Sequence, residues 1–256
     1  MRTFGAFSLP GRRLFYAEVR GSEAHLLTQP YWLGIETTGE ILPMKDLTID
    51  VPAAPSKLIA VGLNYADHIA EMKRTPLGTP LIWFKAPGSL LAHEGTIEIA
   101  YPEHQTDFEV ELAVMIGAKI KNVAANRALD FVFGYTIGED ISDRDLQKSE
   151  KQFARCKSFD TYTPLGPFIY TDVDASDLEI SLRQNGKVKQ KAHTTQMIYS
   201  VAETVSFASQ HLTLLAGDVI LTGTPSGVGP IRAGDQLEAR ISDWPPLRNR
   251  VANPQK

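Results

Sequence analysis

Residues 107–117 read DFEVELAVMIG and have the composition of a buried β-strand. Because successive side chains on a strand point to opposite faces, Phe108 and every second residue after it share one apolar face, whereas Glu109 and Glu111 project together from the other. Two adjacent carboxylates repel each other, and burial adds a desolvation cost that a divalent cation with oxygen ligands relieves. The segment therefore predicts either a half-solvated strand face or a metal site.

The composition is that of an ordinary globular protein. The chain has 256 residues, of which 43% are hydrophobic and 22% charged, enough for one main domain with a small appendage. A formal net charge of -4 provides no basic field for nucleic acid or an anionic membrane. No apolar run resembles a signal peptide or reaches the ~18 residues of a membrane span. We expect a soluble, cytoplasmic protein that binds neither nucleic acid nor membrane.

The single cysteine, Cys156, cannot form an internal disulfide, which fits a reducing cytoplasm. No histidine lies near it in the sequence, so the pattern favours an incidental thiol over a nucleophile.

The local sequence pattern changes near residue 52. The residues before it contain short β-type runs broken by Gly and Pro, at 13–19, 23–27 and 31–35. A linker with two prolines follows, and each Pro disfavours helix at the preceding residue. The sequence predicts a small β-rich region, residues 1–52, and a main domain, residues 53–256.

Strands outnumber helices in the main domain. Strands are predicted over 58–62, 81–85, 96–99, 109–117, 131–137, 165–169, 179–184, 219–222 and 236–241. Helices are predicted over 65–73, 124–129, 142–153 and 195–210. Because the two types do not alternate regularly, the pattern favours a mixed, β-rich α+β fold over a doubly wound parallel sheet.

A third carboxylate lies at the end of a predicted strand. Asp140 comes just before the helix whose N-cap we assign to Ser142, and strand ends that lead into loops often present functional groups. Asp140 is either a turn or capping residue or a third oxygen ligand beside the glutamate pair. Arg144 and Gln147 share a face of that helix, which meets either the same cleft or solvent.

Near the start of the main domain, His68 and Glu71 fall on one face of a predicted helix that Asn64 caps. A histidine oriented by a carboxylate is what a general base requires, because the partner fixes the tautomer and stabilises the imidazolium. The alternative is an exposed ion pair of about 0.2–0.5 kcal/mol. No histidine spacing typical of a zinc site is present.

Three further segments supply positive or neutral polar groups. Lys85 ends a predicted strand, Lys157 precedes a Pro-bounded turn, and Thr224 lies in a Gly-rich loop after another strand. Amides of such a loop can hold an anionic oxygen, although the Gly-Lys-Ser/Thr of a nucleotide P-loop is missing. Each segment is also compatible with an ordinary turn or surface lysine.

Together these segments resemble the fumarylacetoacetate hydrolase family, in particular its acylpyruvase and diene-dioate isomerase members. The resemblance extends over roughly residues 57 to 241. It rests on Asn64-Tyr65 with His68 and Glu71, Phe84-Lys85, Glu109-x-Glu111, Asp140 with Arg144-Asp145-x-Gln147, Lys157-Ser158-Phe159-Asp160 and Thr222-Gly223-Thr224-Pro225. One departure is Ala86, where similar members often have Pro.

The resemblance implies the mixed β-roll of the family, a small N-terminal β appendage, a homodimer and a divalent metal, usually Mg²⁺ with Mn²⁺ or Ca²⁺ as substitutes. The implied roles are metal binding for Glu109, Glu111 and Asp140, catalysis for His68, Glu71 and Lys157, and substrate binding for Arg144, Gln147, Thr224 and, in a supporting role, Lys85. His68 and Glu71 are implied to lie on a mobile lid, and we expect lid residues near 72–78 to contact the substrate tail.

These residues favour an Mg²⁺-dependent hydrolase that cleaves a carbon–carbon bond in a 2,4-dioxo acid, such as fumarylpyruvate, through a metal-stabilised enolate. Its expected setting is the breakdown of aromatic compounds. Decarboxylation or keto–enol isomerisation of an oxaloacetate-like or 2-hydroxy-diene-dioate substrate needs the same enolate and is the alternative. A non-catalytic metal- or ligand-binding protein on the same fold is an alternative of another class, against which the retained carboxylates and His68 argue.

Overall fold

The computed structural model describes residues 1–75 and 78–254. The strands in these ranges are β1 (Arg2–Leu9), β2 (Arg12–Arg20), β3 (Glu23–Leu27), β4 (Thr37–Pro43), β5 (Thr48–Asp50), β6 (Leu58–Gly62), β7 (Leu81–Lys85), β8 (Leu90–Leu91), β9 (Thr96–Glu98), β10 (Thr106–Phe108), β11 (Val110–Ile116), β12 (Val132–Glu139), β13 (Ser142–Asp143), β14 (Thr163–Thr171), β15 (Glu179–Gln184), β16 (Lys187–His193), β17 (Val219–Leu221), β18 (Gly229–Pro230), β19 (Gln236–Ile241) and β20 (Leu247–Ala252). The α-helices are α1 (Ala66–Glu71), α2 (Ala125–Ala128), α3 (Arg144–Ser149) and α4 (Val201–His211). None of the helices in these ranges has the length and apolar character to cross a membrane.

Most strands belong to one mixed sheet. Within the described residues it has 12 strands, with the path β4-β3-β2-β1-β14-β12-β11-β17-β6-β7 and with β5 and β8 attached to β1 and β14. A five-stranded sheet, β16-β15-β19-β20-β9, packs against β11, β12 and β14 of the large sheet. The short sheet β13-β10-β18 lies where β11 begins. The predicted β-rich α+β fold is confirmed.

The central strand β11 is buried on both faces. Val110, Leu112 and Val114 belong to the larger core cluster, which also contains residues of the five-stranded sheet. Ala113 and Met115 belong to a second cluster on the opposite face. A half-solvated face is therefore excluded, and the two glutamates enter a buried environment.

The first strand extends the large sheet. β1 pairs antiparallel with β14, with Arg2 opposite Thr171 and Phe4 opposite Ile169. The sheet is thus continuous across residue 52, whereas the division of the chain into two domains there stays a prediction.

An aromatic cluster from the N-terminal region covers the second core cluster. Tyr31 packs there against four other rings, Phe4, Tyr16, Trp32 and Phe133. Its hydroxyl donates to the carbonyl of Pro52. The strand predicted over 31–35 is wrong, because Tyr31 and Trp32 both pack inward from a turn instead of alternating between faces.

The helix predicted over 142–153 is shorter than expected. It spans Arg144–Ser149, and its N-cap is Asp143, whose carboxylate accepts from the N–H of Leu146 at 3.0 Å. Ser142 does not cap it, because the Ser142 hydroxyl contacts Glu109 and the Asp140 carbonyl, at 3.2 and 3.0 Å.

Two other helix starts also differ from the prediction. Apolar spacing places a helix over 195–210, but a capping box of Ser200 and Glu203 starts α4 at Val201. The N-cap of α1 is Tyr65, since the amide of Asn64 is bonded to the backbone of Tyr199 and Thr222 instead.

Replacement of Tyr31 tests whether the N-terminal aromatic cluster is part of the core. Tyr31 is 1% exposed, and deletion of a buried aromatic side chain costs about 3–5 kcal/mol, so we expect Tyr31→Ala to lower the free energy of unfolding in urea by that amount. Leu33 in the same turn is 61% exposed, so Leu33→Ala should change it by less than about 0.5 kcal/mol. Equal effects of the two substitutions would contradict this role of the cluster.

Candidate active site

Three carboxylates from neighbouring strands meet at one point. Oxygens of Glu109, Glu111 and Asp140 all lie within 4.8 Å of one another, and all three side chains are buried. The pairing of β11 with β12 causes this, because the N–H of Asp140 donates to the carbonyl of Glu109 at 2.9 Å and so holds the two residues opposite each other. The antiparallel register thus brings together residues that are 29 to 31 positions apart in the chain.

Two lysines and an arginine compensate the negative charge. The Nζ of Lys157 donates to Glu109 at 2.9 Å and to Asp140 at 2.5 Å. The Nζ of Lys85 donates to the other oxygen of Asp140 at 2.5 Å, and the Nη2 of Arg144 donates to Glu109 at 2.5 Å.

The two glutamates differ in how their charge is stabilised. Burial by itself would raise the pKa of Glu109, but the cations of Arg144 and Lys157 outweigh it and hold this pKa well below its ordinary value. Burial raises the pKa of Glu111 well above its ordinary value, and the carboxylates of Asp140 and Glu109 add to the rise. Of the two glutamates, Glu111 is therefore the one whose negative charge is less well compensated.

A hard divalent cation suits this donor set. The three donors are all carboxylate oxygens, which Mg²⁺ and Mn²⁺ prefer over nitrogen or sulfur. A cation there would also supply the charge that Glu111 lacks. The residues present therefore fit a metal of this class.

The cluster opens into a cavity of about 470 Å³, a size suited to a small organic acid. Seven of the predicted site residues line it, namely His68, Glu109, Glu111, Arg144, Gln147, Lys157 and Thr224. Leu81, Trp83 and Phe153 form an apolar part of its wall. The Trp83 ring lies over the Lys157 ammonium, with the nitrogen 4.8 Å from the ring centroid.

The predicted histidine–glutamate pair forms on α1. The Nδ1 of His68 lies 3.1 Å from Glu71, and the second Glu71 oxygen accepts from the N–H of Gly227 at 3.0 Å. When Nδ1 donates to this carboxylate, Nε2 is the nitrogen left to accept a proton. Asp67 and Ser226 form a second link between α1 and the Gly-rich loop, at 2.6 Å.

Three predicted residues do not belong to the lining of the cavity. Among the described residues that line the cavity, Glu71, Lys85 and Asp140 do not occur. Lys85 is 1% exposed and donates to Asp140 and to the carbonyl of Tyr162, so its geometry fits a supporting role and not substrate contact. Of the lid residues expected near 72–78, those at 72–75 line the cavity, whereas 76 and 77 lie outside the described residues.

Three residues outside the predicted set of site residues complete the site. Asp107 accepts from the Nε of Arg144 at 2.7 Å, and its place two residues before Glu109 is a signal that strand alternation offers. Gly223 donates its N–H to Glu111 at 2.6 Å. Gln190 comes from the five-stranded sheet, so no spacing near the acidic strand indicates it.

Comparisons with known proteins agree with this architecture. A family model described as fumarylacetoacetate (FAA) hydrolase C-terminal matches residues 57–252. The crystal structure of 2-hydroxyhepta-2,4-diene-1,7-dioate isomerase from Mycobacterium marinum is 36% identical, with a TM-score of 0.91 and coverage of 100% of both chains. Fumarylpyruvate hydrolase from Pseudomonas aeruginosa, in complex with Mn²⁺ and pyruvate, is 31% identical with a TM-score of 0.73, covering 79% of this chain and 91% of that one. Oxaloacetate tautomerase Fahd2a, mitochondrial, from Rattus norvegicus is 36% identical over 223 residues, 82% of this chain and 71% of its own.

The fold and the similar proteins define a class of metal-dependent enzymes built on a β-rich scaffold. The chain belongs to the fumarylacetoacetate hydrolase family. The predictions of family and of enzymatic function are confirmed. Because the similar proteins are named as an isomerase, a hydrolase and a tautomerase, membership sets the class of enzyme and leaves the reaction to be argued from the site.

Substitution of Gly223 tests how Glu111 is held. Gly223 has a φ of +98°, and an added Cβ would lie 2.7 Å from the Cβ of Asn64, so alanine must displace the N–H that Glu111 accepts. We expect Gly223→Ala to weaken Mn²⁺ binding at least tenfold, or about 1.4 kcal/mol, in titration calorimetry. Gly229→Ala is the matched control, because its Cβ would make only ordinary contacts with Phe108. Unchanged Mn²⁺ affinity in a folded Gly223→Ala variant would contradict the role of this amide.

Proposed function

We propose that the protein is an Mg²⁺-dependent hydrolase that cleaves a carbon–carbon bond in a 2,4-dioxo acid of the acylpyruvate type. The observation that carries the proposal is the position of His68, which is held by Glu71 and lines the same cavity as Glu109, Glu111 and Lys157. Hydrolysis requires a base that activates water, whereas loss of carbon dioxide or tautomerisation of a 2-oxo acid requires no attacking water.

The metal would be held by Glu109, Glu111 and Asp140. Mn²⁺ or Ca²⁺ could substitute for Mg²⁺ there. When bound, a divalent cation supplies positive charge that stabilises an oxyanion on a 2-oxo acid. The structure of the fumarylpyruvate hydrolase with Mn²⁺ and pyruvate supports both the metal class and the 2-oxo acid class.

The basic residues of the cavity bind and orient the acid. Arg144 is fixed by Asp107 and Glu109 and donates through Nη1 to Gln147 at 2.8 Å, so both side chains are preset beside the cavity. Burial would lower the pKa of Lys157, but Asp140 and Glu109 outweigh it and raise this pKa above its ordinary value. Lys157 therefore stays protonated and supplies fixed positive charge where the oxyanion forms.

His68 performs the proton transfer. Its Nε2 accepts a proton from water as the water attacks the distal carbonyl, and Glu71 stabilises the resulting imidazolium. Collapse of the resulting tetrahedral alkoxide breaks the carbon–carbon bond and gives a carboxylic acid and an enolate, and the same imidazolium returns the proton to the carbon of that enolate. The 5% exposure of His68 limits competition from bulk water.

Tautomerisation or decarboxylation of an oxaloacetate-like acid is the second candidate. The similar proteins named as an oxaloacetate tautomerase and as a diene-dioate isomerase support it. The same carboxylates and Lys157 would serve, but His68 would have no water to activate.

Assays with Mg²⁺ and acetylpyruvate, fumarylpyruvate and oxaloacetate separate the two candidates. We expect turnover of an acylpyruvate, and we expect His68→Ala to lower kcat for hydrolysis about 10²–10⁴-fold, the usual contribution of a general base. His211→Ala is the matched control, because His211 is exposed on α4 and bonds only to the Phe207 carbonyl among the described residues. Turnover of oxaloacetate without hydrolysis of either acylpyruvate would favour the second candidate, and full activity of Glu111→Gln with chelator present would contradict both.

The setting and assembly of the enzyme are also part of the proposal. Its substrate class fits the breakdown of aromatic compounds, and its one cysteine, which is buried, fits a cytoplasmic location. For the homodimer, the candidate interface is β7, one of the two outer strands of the large sheet among the described residues, where the aromatic side chain of Phe84 is 48% exposed.

Light scattering on the purified protein tests the assembly. We expect a mass twice the 28.2 kDa of the chain, and we expect Phe84→Glu to shift the protein towards monomer, because a buried charge would oppose association. Ile41→Glu, at a residue 49% exposed on β4, is the control. A mass of one chain at all concentrations would contradict the homodimer.

A further inference from the structure

Gln190 is a buried polar residue in an otherwise highly charged strand. It lies on β16, which reads KVKQKAH, and it is 0% exposed while Lys189 and Lys191 on either side are exposed. Its amide reaches out of the five-stranded sheet and forms three hydrogen bonds at the candidate active site. Its partners are Val110 on β11 and Thr224 and Pro225 in the Gly-rich loop, so this one buried amide links the five-stranded sheet to both.

Beyond the end of β17, the side-chain amide of Gln190 pairs with the edge of β11 that β17 leaves open. The ladder between β11 and β17 reaches Thr222, whose N–H donates to the Leu112 carbonyl at 3.0 Å. Two residues further along β11, the N–H of Val110 donates to the Oε1 of Gln190 at 3.0 Å. The side-chain amide thus accepts the hydrogen bond that a neighbouring strand would otherwise accept from Val110, the residue between Glu109 and Glu111.

Two of the three contacts fix which way the amide points. The Val110 N–H can only donate, so it requires Oε1, and the Pro225 carbonyl can only accept, so it requires Nε2, which lies 2.8 Å away. The Nε2 of Gln190 is therefore also the atom that donates to the hydroxyl of Thr224, at 2.8 Å.

The direction of this bond determines what Thr224 offers to the cavity. Because the Thr224 oxygen accepts from Gln190, its own hydrogen is free to donate elsewhere. Thr224 lines the cavity, and the hydrogen bonds of the described residues give its hydroxyl no second protein partner. A hydroxyl that donates into a cavity next to cations favours an anionic oxygen of the ligand.

We propose that Gln190 is a positioning residue that holds the Thr224 hydroxyl as a hydrogen-bond donor to the carboxylate of the substrate. The inference rests on the proposed function, since it takes a 2-oxo acid as the ligand. It assigns this role to the orientation of one side-chain amide.

Gln190→Glu tests the polarity of this arrangement. The new carboxylate keeps the acceptor for Val110 but can donate to neither Pro225 nor Thr224, and the Thr224 hydroxyl then donates to residue 190 and turns away from the ligand. In titration calorimetry we expect the dissociation constant of pyruvate at saturating Mg²⁺ to rise about tenfold, or about 1.4 kcal/mol, and that of Mg²⁺ alone to change less than about threefold. Gln196→Glu is the matched control, because Gln196 is exposed and its oxygen accepts from the His193 N–H, a bond that glutamate keeps.

A double-mutant cycle distinguishes positioning from a general structural effect. If Gln190 acts through Thr224, Gln190→Glu in the Thr224→Val background should weaken pyruvate binding by less than about twofold further. A further tenfold loss in that background would overturn the proposal. Unchanged pyruvate affinity of the single variant Thr224→Val would also overturn it. Circular dichroism of each variant shows whether the fold is retained.

The binding assay also separates this proposal from the proposed function. If the unmodified protein binds pyruvate with Mg²⁺ but turns over none of the tested acids, the hydrolase proposal fails and the role of Gln190 is still decided by the cycle. If the unmodified protein does not bind pyruvate in the presence of Mg²⁺, both proposals are overturned.

Discussion

Three carboxylates buried within 4.8 Å of one another would repel each other strongly, and the cations around them are what allow the site to exist. Lys157 and Lys85 are each 1% exposed, so their bonds to the carboxylates form without competing water. The compensation is uneven, since Glu109 and Asp140 receive these cations while Glu111 receives a backbone N–H. The arrangement thus leaves a defined place for one more positive charge.

The surrounding fold makes this geometry rigid. β11 lies in the middle of the large sheet and is buried on both faces, one of them covered by the aromatic cluster around Tyr31. Interior packing resists small displacements, so the core holds β11, the strand that carries Glu111, in place. The residues that would act on substrate are placed differently, because α1 and the Gly-rich loop are fixed to each other through Glu71 and Asp67. The Gly-rich loop also donates the Gly223 N–H to Glu111, so it connects the carboxylate cluster with the helix that carries His68.

Local patterns in the sequence predict the acidic strand and the pair of His68 and Glu71, because alternation and helical spacing depend on neighbouring residues alone. Other features depend on tertiary structure and have no such signal. The closeness of Asp140 to Glu109 requires the register of β11 with β12, and the resemblance to a family indicated it where spacing did not. β16 was not predicted as a strand because its alternating lysines look like a solvated segment, which also conceals Gln190. Helix starts at Ser200 and Asp143 depend on capping bonds that apolar periodicity does not report.

The distribution of chemistry in the cavity accounts for different reactions on one scaffold. The groups that we propose to receive a 2-oxo acid, with Arg144 and Lys157 among them, lie together with the carboxylates, whereas Leu81, Trp83 and Phe153 form an apolar part of the wall. Stabilisation of an enolate uses only the first set, so it is common to hydrolysis, tautomerisation and decarboxylation. What separates them is whether a water molecule and an electrophilic carbonyl can both be placed next to His68. We infer that the length and shape of the substrate tail against the apolar wall decide this, so that the choice of reaction would follow from the choice of substrate.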